Sequence, residues 1–320
     1  MNQLKNNSKN TAVKSLKAIL LLLVATVSYA REASLTSGEY FVTQSWSQEK
    51  GFKRPYYVRV PERADEKLPV FIFLHGNGGS AEGSMRSFMK SHPVMAKKYI
   101  MVFPEGYQKS WNIVSERSKA EDRQCIEEIV TTLAGYENVQ PNSFSIMGNS
   151  NGAALVNQIA IESKLPQVRN YITAVSPLNA WQHDGKNFKA KGPDNNYSKA
   201  AEPMVGKRLL NISGTEDRLV PYGGGPSRVI PAKDGKLAFV DAEESIFLWA
   251  KRMGADNKKI TQPRVEDKLA IFSYLDGDVV HFKVMGEGHG AGRAISEKRL
   301  LDWLASGLEN QPAVSKQQQE

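Results

Sequence analysis

Residues Gly148-Asn149-Ser150-Asn151-Gly152 join a strand-like apolar run, Phe144–Met147, to a helix-like run, Ala153–Glu162. A serine with a glycine two places away on either side, set between a strand and a helix, fits one sharp turn. That turn lifts the hydroxyl above the end of the strand at a helix N-terminus. The five-residue pattern alone recurs by chance. Its position between those two elements restricts the fold, because such a turn needs a sheet whose strands feed helices.

The rest of the chain supplies that sheet. Tyr40–Trp46 and Tyr56–Val60 read as opening strands around Gly51. Pro69–Leu74 is a continuous apolar run of strand length, the pattern of a strand buried on both faces. It ends in His75-Gly76-Asn77-Gly78-Gly79, followed by a helical stretch and a strand at Ile100–Phe103. Glu121–Tyr136 is amphipathic, with Ile126, Ile129, Val130 and Leu133 at helical spacing. Tyr171–Val175 and Arg208–Ile212 are further strands, separated by a polar excursion, Gln182–Val205. Helix Ala242–Met253, strands Ile271–Tyr274 and Val279–Val284, and helix Arg293–Leu308 complete the pattern. From residue 69 strands alternate with helices, which predicts an α/β fold with a mostly parallel central sheet and helices on both faces. There is no internal repeat, so residues 31–308 read as one domain and 309–320 as a disordered polar tail.

The N-terminus carries Lys5, Lys9, Lys14 and Lys17, then the apolar run Ala18–Val27, then Ser28-Tyr29-Ala30. This is the layout of a cleavable export signal, with cleavage expected after Ala30 and a secreted or periplasmic product. An uncleaved anchor is the alternative, but ten apolar residues are too few to span a bilayer. Removing residues 1–30 lowers the formal net charge from +8 to +4, too mild an excess to indicate nucleic-acid binding. The single cysteine, Cys125, excludes an internal disulfide framework and reads as a buried thiol. No His, Asp or Glu cluster has metal spacing, and no cofactor is implied. The oligomeric state is not legible.

Ser150 needs a base, and in such a fold the partners follow in the order serine, acid, histidine. Asp217, in Gly214-Thr215-Glu216-Asp217, follows the strand Arg208–Ile212; His289, in Gly286-Glu287-Gly288-His289-Gly290, follows Val279–Val284. Both therefore fall at C-terminal strand ends, where open α/β sheets bind ligands. Glu216 is the alternative acid. Among the other histidines, His281 lies inside a strand, His75 opens the glycine loop and organises it, His183 sits in the excursion and His92 precedes Pro93. A tetrahedral oxyanion needs fixed N–H donors. Asn151 is one; Asn77 of the glycine loop is the other, with Gly78 as the alternate. Trp111 reads either as a pocket wall or as a core residue, and Trp181 with the excursion is a candidate cap over the site.

The stretches PVFIFLHGNGGS, YIMVFPEG with Ser110-Trp111-Asn112 after it, VQPNSFSIMGNSNGAAL, LLNISGTEDRLVPYGGG and GEGHGAG resemble the polyhydroxybutyrate depolymerase-like and feruloyl esterase group of the α/β-hydrolases. The resemblance runs from about Tyr56 to His289. It implies the α/β-hydrolase fold, with Ser150 as nucleophile, Asp217 as acid and His289 as base. It implies a secreted serine carboxylic-ester hydrolase acting on hydroxyalkanoate esters or oligomers, or on feruloyl or acetyl esters of plant polysaccharide. Only one helix and a polar tail follow His289, so the expected substrate is a small ester or a polymer chain end rather than crystalline polyester. A non-catalytic binding protein of this fold is the reading from a different class.

Overall fold

In a computed structural model of the chain, residues 33–62, 66–233, 235–256 and 258–309 are described. The expected export signal, and the polar tail from residue 310, lie outside them. The strands are β1 (Gly38–Trp46), β2 (Glu49–Arg59), β3 (Leu68–Leu74), β4 (Ile100–Pro104), β5 (Val139–Asn149), β6 (Val168–Ala174), β7 (Lys189–Ala190), β8 (Lys199–Ala200), β9 (Arg208–Gly214), β10 (Gly225–Ala232), β11 (Gly235–Phe239), β12 (Arg264–Glu266), β13 (Leu269–Tyr274) and β14 (Val279–Val284). The helices are α1 (Ala81–Ser91), α2 (Met95–Lys98), α3 (Asp122–Leu133), α4 (Asn151–Glu162), α5 (Ala242–Met253), α6 (Ala291–Ala294) and α7 (Glu297–Glu309).

Ten strands form one sheet in the order β1-β2-β4-β3-β5-β6-β9-β14-β13-β12. The run from β4 to β14 is parallel, and the flanking strands at both edges are antiparallel. The side chains of β3 show why its sequence is apolar throughout. Val70, Ile72 and Leu74 join one core cluster and Phe71 the other, because alternate residues point to opposite faces and both faces are covered. One face packs on α3, α4 and α5, the other on α1, α6 and α7. After β3 the chain moves outward to β4, then returns to the other side of β3 as β5. That reversal opens a crevice between the C-terminal ends of β3 and β5, where such sheets bind ligands.

Three elements differ from expectation. Strand β5 starts at Val139 and absorbs Pro141 in a bulge: Leu68 pairs with Val139, and Val70 already with Phe144. A proline has no N–H for the ladder, so it sits where pairing lapses. The expected helix Arg293–Leu308 is two helices, because Ile295 is extended and Ser296 caps α7 through its hydroxyl on the Arg299 N–H. Strands β10 and β11 pair antiparallel where prolines and glycines gave no strand signal. No helix of the described residues is long and apolar enough to cross a membrane.

Candidate active site

Ser150 stands at the end of β5 with φ 55° and ψ −118°. A non-glycine residue there is strained, and its surroundings hold it. The Ser150 N–H donates to Ala174 O at 2.9 Å, and Ser150 O accepts from Ala154 N. The two flanking glycines are steric requirements. A Cβ on Gly148 would come within 2.3 Å of Gly152, and one on Gly152 within 2.4 Å of Leu74 O. Helix α4 can therefore start hard against the end of β3 only without side chains at these positions.

The loops after β9 and β14 bring Asp217 and His289 to this serine. His289 Nε2 is 2.8 Å from Ser150 Oγ, and His289 Nδ1 is 2.7 Å from Asp217 Oδ2. Because the carboxylate can only accept, Nδ1 carries the ring proton. Nε2 then faces the serine hydroxyl as an acceptor. Asp217 Oδ1 accepts from the N–H groups of Leu219 (2.8 Å) and Val220 (3.0 Å), which fixes the carboxylate. Its side chain is 2% exposed, against 25% for His289. Glu216, the alternative acid, is exposed, and Asp217 holds the imidazole. The two loops meet because residue 214 is glycine: a Cβ there would lie 2.2 Å from Glu287 O. Glu216 N–H donates to that same carbonyl at 2.8 Å.

On the other side of Ser150 lies the loop after β3. A Cβ on Gly76 would touch Ser150 Cβ at 3.5 Å, so this backbone passes directly beside the serine. The Gly78 N–H donates to Lys109 O (2.7 Å) and the Gly79 N–H to Gly76 O (3.0 Å). The alternate donor Gly78 is thereby spoken for, whereas the Asn77 N–H has no acceptor among the described residues. Asn151 is the first residue of α4, so its N–H has no partner within the helix. His75 organises the loop: Nδ1 donates to Gly76 O (2.7 Å) and Nε2 accepts from Gly106 N (3.0 Å). Burial lowers its pKa, in keeping with that neutral ring.

Of the two readings of Trp111, wall or core, its burial fits the core. It is fully buried, and its indole N–H donates to His75 O at 2.7 Å, bracing the loop from beneath. Trp181 is half-buried, its ring 6.1 Å from that of Tyr197. The excursion braces the segment after Trp111. Asn195 Nδ2 donates to Asn112 Oδ1 (2.6 Å), Tyr197 OH to Ile113 O (2.8 Å) and Lys191 Nζ to Asn112 O (3.2 Å). These bonds clamp residues 112–113, which lead into Glu116. Glu116 is the residue that sequence reasoning missed. Its Oε2 accepts from the Ile113 and Val114 N–H groups, and its Oε1 from Asn151 Nδ2. Asn151 Oδ1 in turn accepts from Trp111 N at 2.7 Å. Burial raises the Glu116 carboxyl pKa above the ordinary range, although the Val114 and Ile113 amides pull it down. No spacing rule marks such a residue, since its partners come from two separate segments.

His281 is fully buried on β14 and bonds Tyr222 OH at 2.9 Å, away from the serine. Cys125 is a buried free thiol pushed up to about 11 by burial.

No family model matches the chain. Over 207 residues, 63% of this chain, the sequence is 25% identical to feruloyl esterase B of Piromyces equi. The chain covers 36% of that relative's length. Among solved structures it is similar to an acetyl xylan esterase from Aspergillus awamori, with TM-score 0.54 and 12% identity over 84% of this chain and 99% of that one. A thermostable esterase superposes with TM-score 0.52 and 13% identity over 84% and 62%. At such identities the likeness to these structures is one of architecture, and the order of strands agrees with it: the chain has the α/β-hydrolase fold.

Proposed function

We propose that the protein is a serine carboxylic-ester hydrolase. The observation that carries this reading is the chain of hydrogen bonds from Ser150 through His289 to Asp217 at 2.8 and 2.7 Å. Ser150 Oγ attacks the ester carbonyl as its proton passes to His289 Nε2. Asp217 orients the ring and stabilises the imidazolium. The N–H groups of Asn77 and Asn151 receive the oxyanion. His289 gives its proton to the leaving alcohol, then takes one from the water that releases the acid from the acyl-enzyme. The chemistry needs no cofactor.

For substrate, the similarity to a feruloyl esterase supports aromatic esters of polysaccharide alongside the hydroxyalkanoate esters that the family resemblance implies. The signal-like residues 1–30 support action outside the cytoplasm, on a small ester or a chain end.

The test is turnover of p-nitrophenyl butyrate and methyl ferulate, with labelling by a fluorophosphonate. Wild type should turn over both and carry the adduct on Ser150. Ser150→Ala should remove the adduct and lower kcat by roughly 10³-fold or more. A folded wild-type protein that neither turns over esters nor takes the label would move the binding-protein reading to the front.

A further inference from the structure

A cleft of about 690 Å³ begins beside the serine. One end is Asn149 and the loop Gly76–Gly79; its walls are α1 on one side and residues 292–297 on the other. Phe73, Phe88, Met147 and Ile295 supply apolar surface, and serines 80, 84, 87 and 91 supply hydroxyls. That volume suits a ligand the size of a sugar or an aromatic acyl group.

The cleft carries two cations, Lys109 and Arg293, against one carboxylate, Glu297. Lys109 and Arg293 are both exposed in its lining. Among the described residues, neither side chain has an ion pair or hydrogen bond. The one carboxylate in the lining, Glu297, is engaged with the Met95 N–H at 2.7 Å. The two cations are also fixed to the reactive loops. Lys109 O accepts from Gly78 N, in the loop beside Ser150, and Arg293 N donates to Gly290 O, next to His289. Gln108 and Lys109 have φ of 54° and 58°, a strained turn that a plain surface loop would not need. A second hollow of about 500 Å³, lined in part by Asp217, carries Arg218 and Arg228, again without ion pairs among the described residues, beside one exposed acid, Glu216.

We propose that the preferred substrate is an ester on a carboxylate-bearing molecule, its anion held in the cleft by Arg293 and Lys109. The inference rests on the ester-hydrolase reading above. The carboxylate belongs either to the acyl part or to the alcohol part, and the two are separable with probes.

Two matched pairs make the experiment. Mono-4-nitrophenyl glutarate against 4-nitrophenyl pentanoate tests the acyl side. 4-Carboxyphenyl butyrate against 4-carbamoylphenyl butyrate tests the alcohol side. Each rate is normalised to alkaline hydrolysis of the same probe. In wild type one acidic probe should exceed its neutral twin by about 5-fold in kcat/KM at low salt, mostly through KM, as expected for exposed charge pairs. The preference should shrink toward one at about 0.5 M salt, where such charges are screened. K109Q/R293Q should abolish it, while Lys251→Gln on α5 should leave the ratio as it is. Neutral esters turned over with both acidic probes at or below their twins would overturn the proposal and leave the hydrolase reading standing. No turnover of any probe would sink both. If the double variant does not fold, the wild-type ratio and its salt dependence decide.

Discussion

Replacing Glu116 by glutamine tests whether the site depends on a residue that never meets substrate. The carboxylate accepts three hydrogen bonds, two from backbone N–H groups and one from Asn151 Nδ2. Glutamine keeps the shape but has one oxygen and one NH₂. If its oxygen stays on the Ile113 and Val114 amides, its NH₂ faces the NH₂ of Asn151. Asn151 cannot turn over to relieve this, because its Oδ1 already accepts from Trp111 N. One hydrogen bond to a charged acceptor is lost and two donors are opposed, a cost of about 2 kcal/mol. For a domain of this size that is a Tm drop of roughly 3 °C. The strain falls on the first residue of α4, whose N–H is the proposed oxyanion donor. Loss of a whole donor costs about 10²- to 10³-fold, so a displaced one should lower kcat by about 10-fold, with KM within about 2-fold. The assay is steady-state hydrolysis of p-nitrophenyl butyrate beside thermal melting. Ile246→Val in α5, a buried core change costing about 1 kcal/mol, serves as the comparison, with lower Tm and unchanged kcat. If Glu116→Gln lowers Tm but leaves kcat intact, the link from Glu116 through Asn151 to the oxyanion is wrong.

Arg54 and Asp122 form an ion pair at 2.6 Å with both side chains 1% exposed. Arg54→Met should destabilise by about 3–5 kcal/mol, and urea titration should show R54M/D122L to be less destabilised than R54M alone. Burial depresses the His281 pKa to about 3. Unfolding therefore takes up a proton once pH falls below about 6.5, and stability present above that pH is lost as pH falls toward 3, by up to roughly 1.4 kcal/mol per pH unit. His281→Asn should flatten this slope in urea titrations between about pH 6 and 4; parallel slopes for the two proteins would refute it. Gly214→Ala would set a methyl carbon 2.2 Å from Glu287 O and part the loops that pair Asp217 with His289. We expect kcat/KM to fall by about 10²-fold or more with near-native circular dichroism.

Ser150, Asp217 and His289 could be read from the chain because each follows an apolar strand and sits among glycines. That is local information, set by the steric needs of a turn at the sheet edge. The order of the three then followed from the fold. The interactions that support them were not legible, because they join segments with no fixed spacing. Arg54 reaches Asp122, Glu116 reaches Asn151, and Asn195 reaches Asn112. Trp111 could be either wall or core in sequence, and only the packing of its indole under His75 decides. The break before α7 was partly legible, since Ser296 ahead of Glu297 is a cap signal that the apolar periodicity masks.

The excursion after β6 has a consequence for how this protein can change over evolutionary time. The polar composition around residues 191, 195 and 197 reads like a loop free to drift, yet these three are buried and grip the segment that leads to Glu116 and so to Asn151. Drift there would alter turnover before it altered what is bound. On the proposed reading such a segment would set the rate apart from the cleft proposed to hold the substrate's anion, so rate and preference could be selected separately.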